Sequence, residues 1–135
     1  MREILFRGKR IDNGNWVNGV PWKALNGSGW YLFQVTEIAG AERMIHVKVD
    51  PATVGQYTGL TDKNGKKIFE GDIVRFKTRT STFKPLYVRW YEETAQFLVS
   101  KRDGVRSYPM DKSWEYEIIG NIHDNPELLE GGADR

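Results

Sequence analysis

Few residues in this sequence have types and spacing that suit catalysis. The chain has 135 residues with two histidines, His46 and His123, and no cysteine, so thiolate nucleophiles, thiolate metal sites and disulfides are excluded. His46 falls on the outward side of a predicted strand. His123 and Asp124 are adjacent at a strand end, and neighbours on a strand point to opposite faces. We therefore expect no catalytic residue, no metal site and no cofactor.

The acidic residues form no recognisable catalytic pair. Glu92 and Glu93 fall in a predicted turn, while Glu115 and Glu117 alternate on one face of a predicted strand. Like charges in such positions more often mark solvent-exposed surface than a site. A glycosidase-type pair of carboxylates remains an open alternative.

Glycine and lysine in the middle of the chain could suggest a phosphate-binding loop. However, Gly59, Gly65 and Gly71 are six residues apart, which matches neither G-x-x-x-x-G-K-[ST] nor G-x-G-x-x-G. No strand-to-helix transition follows them. The spacing therefore argues against a nucleotide-binding site.

Basic residues alternate with apolar ones over residues 74–79, which places Arg75, Lys77 and Arg79 on one predicted strand face. Together with Arg89 they form a candidate nucleic-acid-binding surface. The net charge of the chain is only +2, so it neither favours nor excludes this partner.

The same pattern also fits two simpler explanations. An outward strand face must be polar, and charges there also discourage pairing with other strand edges. Nearby aromatic side chains can stack on bases or pack at a subunit interface, and these residues are Phe83, Tyr87 and Tyr91.

Period-2 alternation dominates the chain, and no stretch of eleven residues carries an apolar stripe at helical spacing. Asn13-Gly14 is typical of a hairpin turn, since both residues tolerate positive φ. Residues 2–11 and 15–22 are therefore predicted to form a first hairpin, which Pro21 ends.

Two further strands are predicted in the N-terminal half. Residues 30–35 form an apolar run that we expect to be buried on both faces or packed at an interface. Residues 44–49 alternate, which predicts that Ile45, Val47 and Val49 face the core while the residues between them face outward.

The C-terminal half is predicted to contain a series of short strands joined by turns. Asn64-Gly65 suits a hairpin turn, and Gly71-Asp72 leads into the first of the later strands. Short, closely spaced strands are typical of a small SH3-like barrel, which leaves no exposed edges. The later strands are predicted at residues 73–77, 86–91, 96–101, 106–110 and 116–123.

One short helical turn is predicted near the C-terminus, with Asn125 as the cap, Pro126 at the first helical position and Gly131-Gly132 as the end. The predicted fold is thus mainly β. An N-terminal β half packs on a C-terminal SH3-like β-barrel, followed by a flexible tail. The respective ranges are residues 1–55, 56–130 and 131–135.

Three motifs stand at the start, middle and end of the chain. They are REILFRGK at residues 2–9, YTGLTDKNGKKIFEGDIV at residues 57–74 and IGNIHDNPELL at residues 119–129. In this order they resemble the YopX family of phage and prophage proteins. The resemblance implies a mostly β protein with an SH3-like barrel in its C-terminal half.

The family has no established activity, so the resemblance supplies no catalytic residue. The motif positions are expected to be structural, as turn formers and backbone anchors. They are Gly59, Asn64, Gly65, Gly71, Asp72, Gly120, Asn121, Asn125 and Pro126.

The expected function is therefore that of a non-enzymatic phage or prophage accessory protein, acting as a β-barrel binding or scaffold module. Five tryptophans and the apolar run at residues 30–35 predict a homo-oligomer, because aromatic-rich strands are enriched at interfaces. A nucleic-acid-binding barrel is the alternative, and a hydrolase with an unrecognised carboxylate site is a weaker one. No segment resembles a signal peptide or membrane span, which predicts the cytoplasm of a bacterial host and no membrane partner.

Overall fold

The structure, a computed structural model, describes residues 3–102, 104 and 106–129, without the side chains of residues 82 and 83. The described part is mainly β, as predicted, whereas the predicted tail lies outside it. Its strands are β1 Phe6–Lys9, β2 Trp16–Lys23, β3 Trp30–Ile38, β4 Ala41–Val49, β5 Gly55–Thr61, β6 Lys67–Phe69, β7 Asp72–Lys77, β8 Thr82–Tyr91, β9 Gln96–Ser100, β10 Ser107–Pro109 and β11 Glu115–Asn121, with a short 3-10 helix at Pro51–Thr53.

The chain divides into two compact units, Met1–Tyr57 and Thr58–Arg135. The first unit is an antiparallel sheet in the order β4-β3-β2-β1-β5, and the last of these strands continues into the second unit, where β6 is its neighbour. The second unit contains an antiparallel sheet in the order β10-β9-β8-β7-β11.

The predicted first hairpin is confirmed. β1 pairs with β2 from Phe6 opposite Gly19 to Lys9 opposite Trp16. The prediction that Pro21 ends this strand is wrong, because β2 continues to residue 23. Pro21 is paired with β3, whereas the pairing of β2 with β1 extends only to Gly19. At Pro21 the β1 side of β2 is therefore open, and the missing proline N–H removes no hydrogen bond between strands.

The core of the first unit is small and lies on one face of its sheet. Leu32 and Val49 are fully buried, and Gly8 lies so close that a Cβ there would be 3.3 Å from the Val49 Cβ. Ile45 and Val47 are half-buried between exposed neighbours, as predicted. The expectation that residues 30–35 are buried on both faces is wrong, because the opposite face of the sheet is open to solvent.

The second unit contains all five predicted later strands, although β8 begins earlier than expected, at residue 82. Its two outer strands, β10 and β11, are not paired with each other in the described residues, so no closed barrel is found. β10 has three residues and ends at Pro109, which has no N–H to extend a ladder. The buried core comprises Ile68, Val74, Phe76, Leu86, Val88, Val99 and Tyr116.

The two predicted hairpin turns are confirmed, but positive φ is confined to their glycines. Gly14 has φ of 72° and Gly65 has φ of 83°, while neither preceding asparagine lies in the left-handed region. Gly71, with φ of 93°, turns the chain into β7. The next residue, Asp72, is buried and accepts the Phe69 N–H at 2.8 Å, which fixes this corner.

The predicted helical turn is present at residues 127–129, but Asn125 does not cap it with its side chain. Its backbone carbonyl accepts the Leu128 N–H at 3.1 Å, whereas its side-chain Oδ1 accepts the Asn121 N–H at 3.2 Å. The side chain therefore holds the preceding strand end. The glycines predicted to end the helix lie outside the described residues.

Candidate functional site

Arg75 and Lys77 share the outward face of β7, as the alternation predicted, but acidic residues lie across from them. Arg75 is 3.9 Å from Glu117, and Lys77 is 4.0 Å from Glu115, both on β11. Lys63 approaches Glu117 at 3.8 Å. This surface is therefore a mixed-charge patch, in which the carboxylates offset the attraction of the cations for phosphate.

A shallow depression in this patch is lined by two carboxylates. Glu115 and Glu117 stand there with Tyr116 between them, and the volume is about 110 Å³. Since a water molecule occupies about 30 Å³ of liquid, this space holds a few waters. Each carboxylate also lies within 4.0 Å of a lysine or arginine nitrogen.

The other two candidate cations lie elsewhere in the second unit. Arg79 lies two residues beyond the end of β7 and is exposed. Arg89, on β8, donates to Ser100 Oγ at 2.8 Å and to the Gly104 carbonyl at 3.2 Å, and its guanidinium lies 5.4 Å from the Tyr91 ring. The structure thus brings two of the four residues together. Their role in nucleic-acid binding stays a prediction.

The two histidines lie in different units. His46 is stacked against the Phe33 ring at 5.8 Å. The backbone N–H groups of His123 and Asp124 both donate to Asn121 Oδ1, at 3.0 and 2.9 Å. The motif residue Asn121 thereby shapes the turn after β11.

No group of three histidine, aspartate or glutamate side chains in the described residues converges to hold a metal ion. Within the same residues, no helix is both long and apolar enough to cross a membrane.

The carboxylates with shifted pKa values act as hydrogen-bond acceptors. A bidentate bond from Arg10 lowers the pKa of Asp12, and bonds from the backbone and side chain of Ser113 lower the pKa of Asp111. Burial works to raise the pKa of Asp62, but backbone N–H donors outweigh it and hold this pKa below its usual value. A general acid at neutral pH requires the opposite shift.

A further surface, which the sequence indicated only in part through the apolar run at residues 30–35, is on the first unit. Trp22 on β2, Tyr31 and Phe33 on β3, and His46 on β4 form one connected ring cluster. The Trp22 ring centroid lies 5.8 Å from Tyr31 and 5.5 Å from Phe33, while His46 lies 5.1 Å from Tyr31. We call this side of β2, β3 and β4 the aromatic face.

The aromatic face remains open to solvent in the folded chain. Trp22 is 43% exposed, and neighbouring apolar residues on the same side, Val20, Val35 and Met44, are 65%, 64% and 70% exposed. Since unpartnered apolar patches of this kind mark interaction surfaces, this face is the best candidate for a functional site.

A cationic border lies beside the aromatic face. Arg7 and Lys9 alternate with buried Gly8 on β1, and both pack over the Trp16 ring, at 4.5 and 5.9 Å from its centroid. Lys48 of β4 is the cross-strand partner of Tyr31, and the bridge between Arg10 and Val49 brings the end of β4 next to the end of β1. The cations of these two strands are therefore neighbours, and Asp50, whose N–H donates to the Lys9 carbonyl at 2.9 Å, lies beside them.

A sequence signal for this face exists but is incomplete. Trp16, Val20 and Trp22 are separated by even numbers of residues, which places them on one face of the predicted strand. Which rings meet depends on the pairings of Trp22 with Tyr31 and of Phe33 with His46, and register across strands is not encoded locally.

Comparison with known proteins agrees with the motifs. A family model described as "YopX protein" matches residues 5–130. The chain belongs to the YopX family. This YopX-family chain is also similar to the crystal structure of protein EF1440 from Enterococcus faecalis, with 26% identity, coverage of 96% of this chain and 99% of that one, and a TM-score of 0.58. No curated protein matches the sequence.

Proposed function

We propose that this YopX-family protein is a non-enzymatic accessory protein of phage or prophage origin, which acts in the cytoplasm of the host by binding a partner on its aromatic face. The observation that carries the proposal is the open cluster of Trp22, Tyr31, Phe33 and His46. Leaving such rings in water forgoes burial energy of about 25 cal/mol per Å² of apolar surface, which a bound partner recovers.

Photo-crosslinking tests this assignment even when the partner is unidentified. A photoreactive phenylalanine analogue is placed at Trp22 and, as the matched control, at Lys112, which is exposed in the second unit. In host cells that carry the phage, we expect a discrete adduct from position 22 and none from position 112. Absent or equal labelling at the two positions would show that the aromatic face is not the binding surface.

For the second unit we propose a small SH3-like barrel left open at one seam, which serves as the scaffold. In support, Ile68 of β6 is fully buried in the core of the five-stranded sheet, and Leu60 of β5 packs against that core. Ile68→Ala should therefore destabilise the unit by about 2–5 kcal/mol, measured by urea unfolding. If Ile68→Ala only accelerated amide exchange in β6 and left the free energy of unfolding unchanged, β6 would not share a core with the five-stranded sheet.

Self-association is a second candidate, favoured by the position of β4 at the end of its sheet. The residue-49 end of this strand is bridged to Arg10, but residues 41–47 have a described neighbour on one side only, β3. Edges of this length are templates for pairing with a second chain. We propose a homodimer in which these edges meet.

Light scattering behind size exclusion tests the dimer. The wild type should show twice the monomer mass at micromolar concentration, and Met44→Lys, which puts a charge on β4, should shift it to the monomer. Ile4→Lys is the matched control, since Ile4 is 66% exposed but lies before β1. A monomeric wild type across this range excludes the dimer.

A further inference from the structure

The hairpin of β3 and β4 fixes which backbone groups of β4 point away from the sheet. The two strands are joined by the turn Ala39-Gly40, whose φ angles of 53° and 81° are both positive, as in type I′ turns. Pairing begins at Ile38 opposite Ala41 and continues without a register shift. The pair next to such a turn is hydrogen-bonded, and bonded and non-bonded pairs then alternate. The odd-numbered residues of β4 therefore bond to β3, and the even-numbered residues direct their N–H and C=O groups outward.

One contact confirms this direction and also limits the open edge. The outward carbonyl of Lys48 accepts the Ile11 N–H at 3.2 Å, so the chain after β1 occupies this end of β4. The outward backbone groups of Glu42, Met44 and His46 have no partner among the described residues. This part of the strand contains neither a proline nor a bulge, two devices that protect sheet edges. Three consecutive outward residues are therefore available to pair with an added strand.

A second copy of the chain satisfies all three of these residues in one register. A two-fold axis places the two β4 strands antiparallel, with the same surface on both copies. When Met44 lies opposite Met44 of the second copy, Glu42 lies opposite His46 of the second copy, and the reverse pair forms by symmetry. This register makes about six backbone hydrogen bonds, two for each of the three facing pairs.

The two neighbouring registers fit less well. A shift toward the turn puts Arg43 opposite its own copy, with Cα atoms about 4.5 Å apart, and like charges in that position destabilise a strand pair. A shift the other way centres the contact on Ile45 and brings Glu42 opposite Lys48, whose carbonyl already accepts the Ile11 N–H. Each shift also reduces the facing outward pairs from three to two. The backbone and the charges therefore both select the register centred on Met44.

The side chains on the aromatic side of β4 are self-complementary in this register. Glu42 is the cross-strand partner of Glu37 within the hairpin, and such a like-charge pair is destabilising. Across the proposed contact, the Glu42 carboxylate faces the His46 imidazole of the second copy. An imidazole has an N–H to donate in both of its protonation states. The second copy thus supplies the hydrogen-bond donor that the Glu37–Glu42 pair lacks.

We propose that two copies pair through β4 with Met44 on the two-fold axis. Facing side chains of a strand pair lie on the same side of the sheet, so the two aromatic faces join into one surface. Glu42 of each copy then lies beside His46 of the other, which means that the second copy contributes a residue to the proposed binding face. This inference rests on the proposed homodimer and specifies its register.

Cysteine scanning reads the register directly, because the native chain contains no cysteine. The variants Arg43→Cys, Met44→Cys and Ile45→Cys are each treated with oxidised glutathione and separated on a denaturing gel. Met44→Cys should form a disulfide-linked dimer, since facing Cα atoms of a hydrogen-bonded pair are about 5.5 Å apart, within the range for a disulfide. At positions 43 and 45 the two copies are related diagonally, at about 7–8 Å, which is too far for a disulfide.

Val35→Cys is the matched control. Val35 is 64% exposed and is the cross-strand partner of Met44 on β3, so it lies on the same face but one strand farther from the contact. It should form no disulfide-linked dimer. A disulfide at position 35 and none at position 44 would show that the faces stack on each other and would overturn the proposal. A disulfide at position 43 or 45 instead of 44, or at none of these positions, would also overturn it.

A charge exchange tests the facing pair independently. Glu42→Lys should raise the dimer dissociation constant about 2- to 30-fold, because it removes a favourable cross-strand pair at two symmetric positions. Adding His46→Glu to this variant places opposite charges across the contact again and should restore association. Analytical ultracentrifugation measures both constants. A double variant that associates no better than Glu42→Lys would show that these residues do not face each other.

Light scattering separates failure of this inference from failure of the proposed homodimer. A dimeric wild type without a disulfide in Met44→Cys overturns the register and leaves the homodimer standing. A monomeric wild type overturns both. Photo-crosslinking at position 22 tests the binding role of the aromatic face separately from either result.

Discussion

Asp62 holds together parts of the second unit that are far apart in sequence. It lies at the turn between β5 and β6 and is only 6% exposed. Its Oδ1 accepts the N–H groups of Asn64 and Lys66, both at 2.9 Å, and its Oδ2 accepts the Ile118 N–H at 3.2 Å. One carboxylate thus closes a local turn and also anchors it to β11.

Asp62→Asn preserves the size of the side chain but removes its charge and one acceptor. The Ile118 N–H is then left unpaired, at a cost of about 1–3 kcal/mol. The other two bonds change from charged to neutral acceptors, which weakens each by about 0.5–1 kcal/mol. We expect the free energy of unfolding to fall by about 2–5 kcal/mol.

The pH dependence of this loss follows from the lowered pKa of Asp62. Burial opposes ionisation, but the N–H groups of Lys66, Ile118 and Asn64 stabilise the carboxylate and keep its pKa below the ordinary value. Its contribution to stability is therefore complete above the unfolded-state pKa of about 3.9 and is lost as pH falls through the folded-state pKa. The difference between wild type and Asp62→Asn should shrink below about pH 4.

Urea unfolding at neutral pH and in steps down to about pH 3 measures this difference, and hydrogen exchange at the Ile118 amide reports the lost bond directly. Asp111→Asn is the matched control, because Asp111 accepts bonds from Ser113 in an exposed turn where water can replace them. A difference below about 0.5 kcal/mol at neutral pH, or one that does not change with pH, would refute the assigned role of Asp62.

Three further substitutions test close packing and burial. Gly120→Ala should lower stability by about 1–3 kcal/mol in thermal unfolding, because its Cβ would lie 2.6 Å from Asn125 Oδ1; an unchanged melting temperature would contradict this contact. Gly19→Ala would place a Cβ 2.3 Å from the Phe33 carbonyl oxygen, so amide exchange in β2 and β3 should accelerate, and unchanged exchange would count against the close approach of these strands. Burial raises the pKa of Tyr116, so the stability that this neutral side chain contributes should be complete below the unfolded-state pKa of about 10 and be lost at higher pH. The urea midpoint of the wild type should therefore fall at alkaline pH, and that of Tyr116→Phe should fall less. Parallel midpoint profiles for the two proteins would contradict this role of Tyr116.

The sequence by itself determined the elements and the family. Alternation predicted the strands because a half-buried strand exposes every second side chain. Gly14 and Gly65 marked turns because positive φ is a local property of the glycine backbone. The three motifs were sufficient to suggest the YopX family, which the family comparison then confirmed.

Tertiary structure decided which surfaces those elements form. The charges of Arg75 and Lys77 were visible in sequence, but their acidic partners come from β11, near the far end of the chain. The rings of Trp22 and His46 both lie next to the Tyr31 ring only because β2, β3 and β4 pair in the observed register. Register depends on the sum of pairings and packing along whole strands, and no single stretch of residues contains that sum.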